Sequence, residues 1–138
     1  MSLDRFVELV RPDWERAVEK TGIPPEIPVD FDSQAGVSGR NFAFFEWSPE
    51  IRFAFSPRIV NEPIHRQLGI FRHEVGHAVH YYLGREQLRQ LIGEELESSD
   101  ERLADQIAEW LYGEPIRYDA ETVQSIHRGR TPRPSWLG

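Results

Sequence analysis

The 138-residue sequence predicts an α+β fold in a single domain, residues 1–138. We expect an N-terminal helix, a small sheet of three to four strands that includes a hairpin, and two later helices. Apolar residues recur at helical spacing near the N-terminus and in the second half of the chain, whereas two aromatic-rich runs between them have the composition of strands. This length also suits one hydrophobic core rather than two.

The N-terminal helix is predicted from its end signals and from an apolar stripe. Ser2 can cap the first turn, Pro12 suits the first turn of a continuation, and Gly22 ends the helix. The stripe consists of Phe6, Val7, Leu9, Val10, Trp14, Ala17 and Val18. One face of this helix is therefore expected to pack on the rest of the domain.

Three segments predict the sheet. "EIPVDF" at 26–31 is a short strand that Pro28 confines to an edge, because proline cannot donate a hydrogen bond to a neighbouring strand. "NFAFFEWS" at 41–48 and "IRFAFSP" at 51–57 are rich in aromatic residues and close in sequence, which predicts a β-hairpin. Apolar residues alternate in the second run, so we expect one buried face and a free second edge for that strand.

The second half of the chain predicts helices. A long helix begins near Pro63 and ends at Gly84, and residues 85–96 form a shorter one. A further helix lies within 98–113, where Ser99 or Asp100 is the cap and a glycine is the stop. Its apolar stripe consists of Leu103, Ile107 and Leu111.

Composition restricts the classes of function. The chain has no cysteine, which excludes disulfides, thiolate catalysis and iron–sulfur clusters and leaves His, Asp and Glu as metal ligands. The net charge of −7 disfavours a broad basic face for nucleic acid. Without a signal pattern or a long apolar run, we expect a cytoplasmic protein that makes no membrane contact, and the oligomeric state is left open. We expect residues 119–138 to form a mobile tail.

The long helix carries the segment "HEVGH", in which His73 and His77 are four residues apart. Residues at this spacing share one face of a helix, so both imidazoles can reach one ion. In an HExxH motif the glutamate, here Glu74, acts as a base toward the water at the metal rather than as a ligand. The alternative is that these residues only decorate a solvated helix face.

A catalytic Zn²⁺ needs a third protein ligand, and the best candidate lies in "DERLAD". Glu101 and Asp105 are one helical turn apart and therefore share a face. Glu101 would complete a His₂Glu site, and Asp105 would accept a hydrogen bond from a ligand imidazole. His80 lies too far along the helix from His73 to share the same ion, so we interpret it as a supporting, cleft-lining or packed residue.

"HEVGH" followed by "ERLAD" resembles the HExxH plus ExxAD pattern of the gluzincin branch of the zincin metallopeptidases. The likeness is greatest to the minigluzincin type and to the small ImmA/IrrE-type peptidase domains, and it covers about a third of the chain. It implies a minimal zincin-like fold with an active-site helix and a second metal-bearing helix. His73, His77 and Glu101 would be zinc ligands, Glu74 the catalytic acid and base, and Asp105 the supporting carboxylate.

The resemblance implies a zinc-dependent metallopeptidase that hydrolyses peptide bonds in a protein or peptide substrate. An extended substrate would pair with the edge of the sheet, through either "NFAFFEW" or "IRFAFS". Candidates for stabilising the oxyanion are Tyr112, Arg117, Tyr118 and His127. No helix-turn-helix pattern accompanies the domain, so we do not expect a DNA-linked regulator.

Two alternatives remain open. The first is a catalytically silent or latent zinc-binding module with a regulatory or interaction role and the same fold. In a latent form, the tail "HRGRTPRPSW" would fold back into the cleft. The second is a helical-hairpin interaction protein in which the motif is coincidental. Metal content separates the second from the others, and turnover separates an enzyme from the silent module.

Overall fold

The computed structural model describes residues 3–27, 29–31, 43–46 and 52–115. Its elements follow the predicted order of an N-terminal helix, a small sheet and later helices, so the fold belongs to the α+β class. In chain order they are α1 Leu3–Thr21, β1 Val29–Phe31, β2 Ala43–Glu46, β3 Arg52–Phe55, a 3-10 helical turn Pro57–Asn61, α2 Ile64–Ile92 and α3 Asp100–Tyr112. The tail predicted at 119–138 lies outside the described residues.

The described sheet has three strands in the order β1-β3-β2. β2 pairs antiparallel with β3, with Ala43 opposite Phe55, as expected for the hairpin. β1 pairs parallel with β3, with Val29 opposite Phe53, and lies at the edge where Pro28 predicted it. The expected free second edge of β3 is therefore wrong, because β1 occupies it. Parallel pairing joins segments that are far apart in sequence, so the local pattern of either run contains no sign of it.

β3 is buried on both of its faces. Phe53 and Phe55 point to one face, and Ala54 and Ser56 alternate with them, yet all four side chains are at most 1% exposed. The prediction of a single buried face is wrong for this strand. A central strand is buried on both faces when other segments cover both of them, even if apolar and polar side chains alternate along it.

Aromatic side chains from three elements form the centre of the core. The ring centroids of Phe6 in α1 and Phe55 in β3 are 5.0 Å apart, and those of Trp14 and Phe53 are 5.6 Å apart. Phe71 in α2 stacks on Phe55 at 6.1 Å. Aromatic pairs at these separations add roughly 0.5–1.5 kcal/mol each to the stabilisation from buried area. They fix α1 and α2 against the sheet.

The helices end largely where the sequence indicates. α1 continues through Pro12 and ends before Gly22, whose φ is 77°. α2 is interrupted at Gly84, where φ is 78° and ψ is 161°, and it resumes beyond this residue. Ser99 caps α3 by accepting a hydrogen bond from the Arg102 backbone N–H at 3.2 Å, and Gly113 ends the helix. No helix in these ranges is both long enough and apolar enough to cross a membrane.

α2 and α3 pack against each other more extensively than any other pair of elements that the structure describes. The predicted stripe of α3, Leu103, Ile107 and Leu111, is fully buried, and the backbone of Ala104 in the same helix lies directly against Gly76 of α2. The return of the chain after Gly93 therefore lays the first turn of α3 beside the middle of α2. This is the arrangement that positions the candidate site.

Candidate metal centre

Three predicted ligands meet between α2 and α3. One ligand atom from each of His73, His77 and Glu101 lies within 4.8 Å of the other two, so this cluster could hold a metal ion. His73 Nε2 is 2.9 Å from Glu101 Oε2, and His77 Nε2 is 3.1 Å from Glu101 Oε1. The two imidazole rings are 4.8 Å apart and nearly perpendicular. Both Nε2 atoms thus face a single carboxylate.

The cluster is buried on the histidine side and partly open on the acidic side. His73 is 0% exposed and His77 is 3% exposed, whereas the Glu101 side chain is 27% exposed. The interpretation of the motif as decoration of a solvated helix face is therefore wrong. Among these three residues, Glu101 is therefore the one that reaches solvent.

Asp105 contacts the other ring nitrogen of His73. His73 Nδ1 is 2.6 Å from Asp105 Oδ1, a distance at which the nitrogen donates and the carboxylate accepts. A proton held on Nδ1 by this bond would leave the Nε2 lone pair facing His77 and Glu101, where an ion would bind. The contact predicted for Asp105 is present in the structure.

The donor set fits a borderline divalent cation. Two imidazole nitrogens and one carboxylate oxygen are a ligand combination of catalytic Zn²⁺ sites, whereas Mg²⁺ and Ca²⁺ prefer oxygen ligands alone. Ligand atoms around a tetrahedral Zn²⁺ lie roughly 3.4 Å apart, given bond lengths near 2.0–2.1 Å. The two Nε2 atoms lie 2.9 and 3.1 Å from the two carboxylate oxygens of Glu101, which is close to that value.

Two further predicted residues lie on the same helix. Glu74 is 0% exposed and His80 is 1% exposed, so both are part of the interior around the cluster. Burying a carboxylate next to the histidine pair is costly unless the group interacts with a polar or charged partner. His80 lies outside the group of three residues able to share an ion, as its rise along the helix indicated.

Gly76 is a site residue that the sequence reasoning missed. A Cβ built on Gly76 would lie 2.7 Å from the Cα of Ala104, and its nearest neighbour would be the Ala104 carbonyl oxygen. The backbone of α3 thus occupies the space of a side chain at position 76. The signal was available, because a glycine inside a helix costs about 1 kcal/mol relative to alanine and often has a packing reason.

Arg72, which precedes the first histidine, ties α2 to α1 and to the end of α3. Its guanidinium donates to both carboxylate oxygens of Asp13, at 2.8 and 3.2 Å, and to Glu114 at 3.0 Å. Burial alone lowers the pKa of Arg72, but its interactions with Asp13 and Glu114 outweigh this and raise the pKa further above its ordinary value. Arg72 therefore remains a cation, and it lies 4.5 Å from the centre of the Tyr112 ring.

Tyr112 was one candidate for stabilising the oxyanion. Its hydroxyl donates to the backbone carbonyl of Asp13 at 2.8 Å, and burial, with the charge of Asp13, raises its pKa well above the ordinary value. The Tyr112 proton is thus used to join α3 to α1. The other candidates, Arg117, Tyr118 and His127, lie outside the described residues.

Cations on α1 bind the C-terminal end of α3. Arg16 Nε donates to the carbonyl of Leu111 at 2.5 Å, and Lys20 Nζ donates to the carbonyl of Trp110 at 2.9 Å. Carbonyls in the last turn of a helix lack partners within the helix and carry its negative dipole end, so cations there are favourable. These contacts fix α3, and with it Glu101, relative to the body of the protein.

In the described sheet β3 is the central strand. β2 lies at one edge and runs antiparallel to β3. β2 also packs against α2. Of the two runs predicted to receive an extended peptide, "IRFAFS" forms the central strand and is paired on both sides. "NFAFFEW" contains β2, one of the two edge strands of the described sheet.

The chain matches no protein-family model, no curated protein and no solved structure. The choice among functions therefore depends on the chemistry of the described residues.

Proposed function

We propose that this protein is a zinc-dependent metallopeptidase with a zincin-like fold. The observation that carries the proposal is the convergence of His73, His77 and Glu101 to ligand-atom distances within 4.8 Å at the junction of α2 and α3. A His₂Glu set leaves one coordination position for water or substrate in a catalytic zinc site. The buried glutamate at position 74 adds a proton acceptor on the same helix.

His73, His77 and Glu101 would hold the zinc ion. Bound zinc supplies Lewis-acid polarisation of the substrate carbonyl and increases the acidity of water. Asp105 would keep the proton of His73 on Nδ1, so that the Nε2 lone pair is available to the metal. Glu74 accepts a proton from the attacking water at its carboxylate oxygen and then delivers it to the leaving nitrogen.

A peptide in extended conformation is the substrate class that the sheet favours. β2 lies at the edge of the described sheet and packs against α2, the helix that bears the histidine pair. An edge strand offers unpaired N–H and C=O groups, which bind an added strand through main-chain hydrogen bonds. Recognition through the main chain would hold a scissile bond beside the metal without requiring one particular side chain.

A zinc-holding module without turnover is the second candidate. One observation favours it: both ring nitrogens of His73 already contact carboxylates, so the cluster also has the geometry of a structural staple between α2 and α3. Structural zinc sites contribute directly to folding. The two candidates differ in whether Glu74 is needed for a reaction.

The test measures metal content and cleavage in parallel. Purified protein saturated with Zn²⁺ and then dialysed is expected to retain one zinc per chain by elemental analysis, whereas His73→Ala retains none. His65→Ala is the matched control, because His65 is an exposed histidine on the same helix. Wild-type protein that binds no zinc overturns the proposal.

Cleavage is then assayed with a broad library of quenched fluorescent peptides. The wild type is expected to cut, and Glu74→Gln is expected to keep its zinc and lose cleavage. A zinc-loaded wild type that leaves the library and denatured protein substrates uncut favours the silent module instead.

A further inference from the structure

The ligands of the candidate metal centre come from two helices, and different structural features set their spacing. His73 and His77 are four residues apart on α2, so the helical turn alone determines their separation. Glu101 lies on α3, and its distance from the histidine pair depends on how closely the two helices approach. The third ligand is therefore positioned by a contact between helices.

That contact lies between the ligands themselves. Gly76 lies three residues after the first histidine and one before the second, and Ala104 lies three residues after Glu101 and one before Asp105. The Cα of Ala104 is 2.7 Å from the position that a Cβ of residue 76 would take, and the Ala104 carbonyl oxygen is closer still. Atoms at such distances overlap, and the neighbouring atoms belong to backbone rather than to a flexible side chain. Any side chain at position 76 therefore pushes α3 away from α2.

We propose that Gly76 is a positioning residue of the metal centre, and that its missing side chain sets the short interhelical distance across which Glu101 reaches His73 and His77. The inference rests on the proposed function, since it takes this cluster as a metal site. A wider separation moves the carboxylate at position 101 out of reach of the ion, while the spacing of the two imidazoles within α2 does not change.

The experiment measures the Zn²⁺ affinity of four proteins by competition with a chromophoric chelator. They are the wild type, Gly76→Ala, Glu101→Gln and the double variant. Alanine is the better helix former, so the substitution does not weaken α2 by itself. We expect Gly76→Ala to weaken zinc binding at least about tenfold, because loss of a ligand costs no less than loss of an outer-shell partner. In the Glu101→Gln background the same change is expected to alter affinity by less than about twofold.

The double variant separates positioning from general damage. If Gly76 acts only through the fold, alanine weakens zinc binding equally in both backgrounds, and the proposal is overturned. Unchanged affinity of Gly76→Ala in the wild-type background also overturns it. In either case the proposed function survives as long as the wild type binds zinc; a wild type without zinc affinity removes both.

Glu101→Asp tests the same idea without altering the helix contact, in case Gly76→Ala does not fold. Residue 101 is partly exposed in the first turn of α3, so shortening its side chain leaves the α2–α3 packing intact. If Gly76 and Ala104 hold the helices at a fixed distance, a carboxylate one methylene shorter cannot reach the ion, and zinc affinity falls at least about tenfold. Wild-type affinity in Glu101→Asp means that the helices adjust, which contradicts the proposal.

Discussion

The imidazole Nδ1 of His73 lies 2.6 Å from the carboxylate of Asp105, on the opposite side of the ring from the nitrogen that faces Glu101. This places one histidine between two acidic side chains of α3. The contact with Asp105 orients the ring. Glu101 lies on the Nε2 side of the ring, where an ion would bind.

Asp105→Asn is expected to weaken Zn²⁺ affinity by about 10–100-fold, the usual cost of removing an outer-shell carboxylate from a ligand histidine. The amide still accepts a hydrogen bond from His73 Nδ1 but no longer supplies the negative charge. Competition titration with a chelator measures the change. Glu109→Gln, an exposed carboxylate on the same helix, is the control and should bind zinc as the wild type does.

Glu74→Gln is expected to retain stoichiometric zinc and to reduce kcat by about 10²–10⁴-fold, because it removes the proton acceptor but no ligand. Steady-state cleavage of a peptide selected from the library, together with elemental analysis, tests this. Glu86→Gln changes an exposed glutamate on the same helix and should leave both quantities unaltered. Substantial cleavage by zinc-loaded Glu74→Gln would show that another group serves as the base.

Removal of the metal is expected to lower the melting temperature. Zinc at a hundred times its Kd stabilises the folded state by about 2.7 kcal/mol, which corresponds to roughly 10 °C for a domain of this size. Thermal unfolding of the zinc-loaded protein, with and without a chelator, measures the difference. His77→Ala should melt at the same temperature under both conditions, and a chelator effect of equal size in that variant would place the stabilising ion elsewhere.

Tyr112 is expected to make stability fall at alkaline pH. Its pKa in the folded protein is raised above 10.0, chiefly by burial, so above pH 10 the unfolded chain loses a proton that the folded state keeps. The stabilisation present below pH 10 is therefore lost as the pH rises, with a slope of about 1.4 kcal/mol per pH unit. Urea unfolding at a series of pH values measures this slope.

Tyr112→Phe should remove that alkaline limb and cost about 0.5–1.5 kcal/mol at neutral pH, because the hydrogen bond to the Asp13 carbonyl is lost. Tyr82→Phe is the control. Burial also raises the pKa of Tyr82, but this side chain is much less enclosed, so its share of the alkaline slope should be small. An unchanged slope in Tyr112→Phe would mean that another group titrates.

Much of the candidate site was predictable from short stretches of sequence. The spacing of His73 and His77 determines that they share a face in any helix, and the same holds for Glu101 and Asp105. Cap and stop residues such as Ser99 mark where α3 begins and ends. Periodicity and capping depend on residues within one or two helical turns of each other. The shared helix faces and the helix ends could therefore be predicted from short segments of sequence.

The sequence alone determined the helices, the hairpin and the residue types available to a metal. Only the tertiary structure decided that β3 is central, that α1 binds the end of α3 through Arg16 and Lys20, and that Gly76 lies against the backbone of Ala104. These contacts join segments far apart in the chain. The geometry of these contacts depends on the volume of individual side chains where two elements pack together. The periodic pattern of apolar residues along the chain does not predict which side chains meet there.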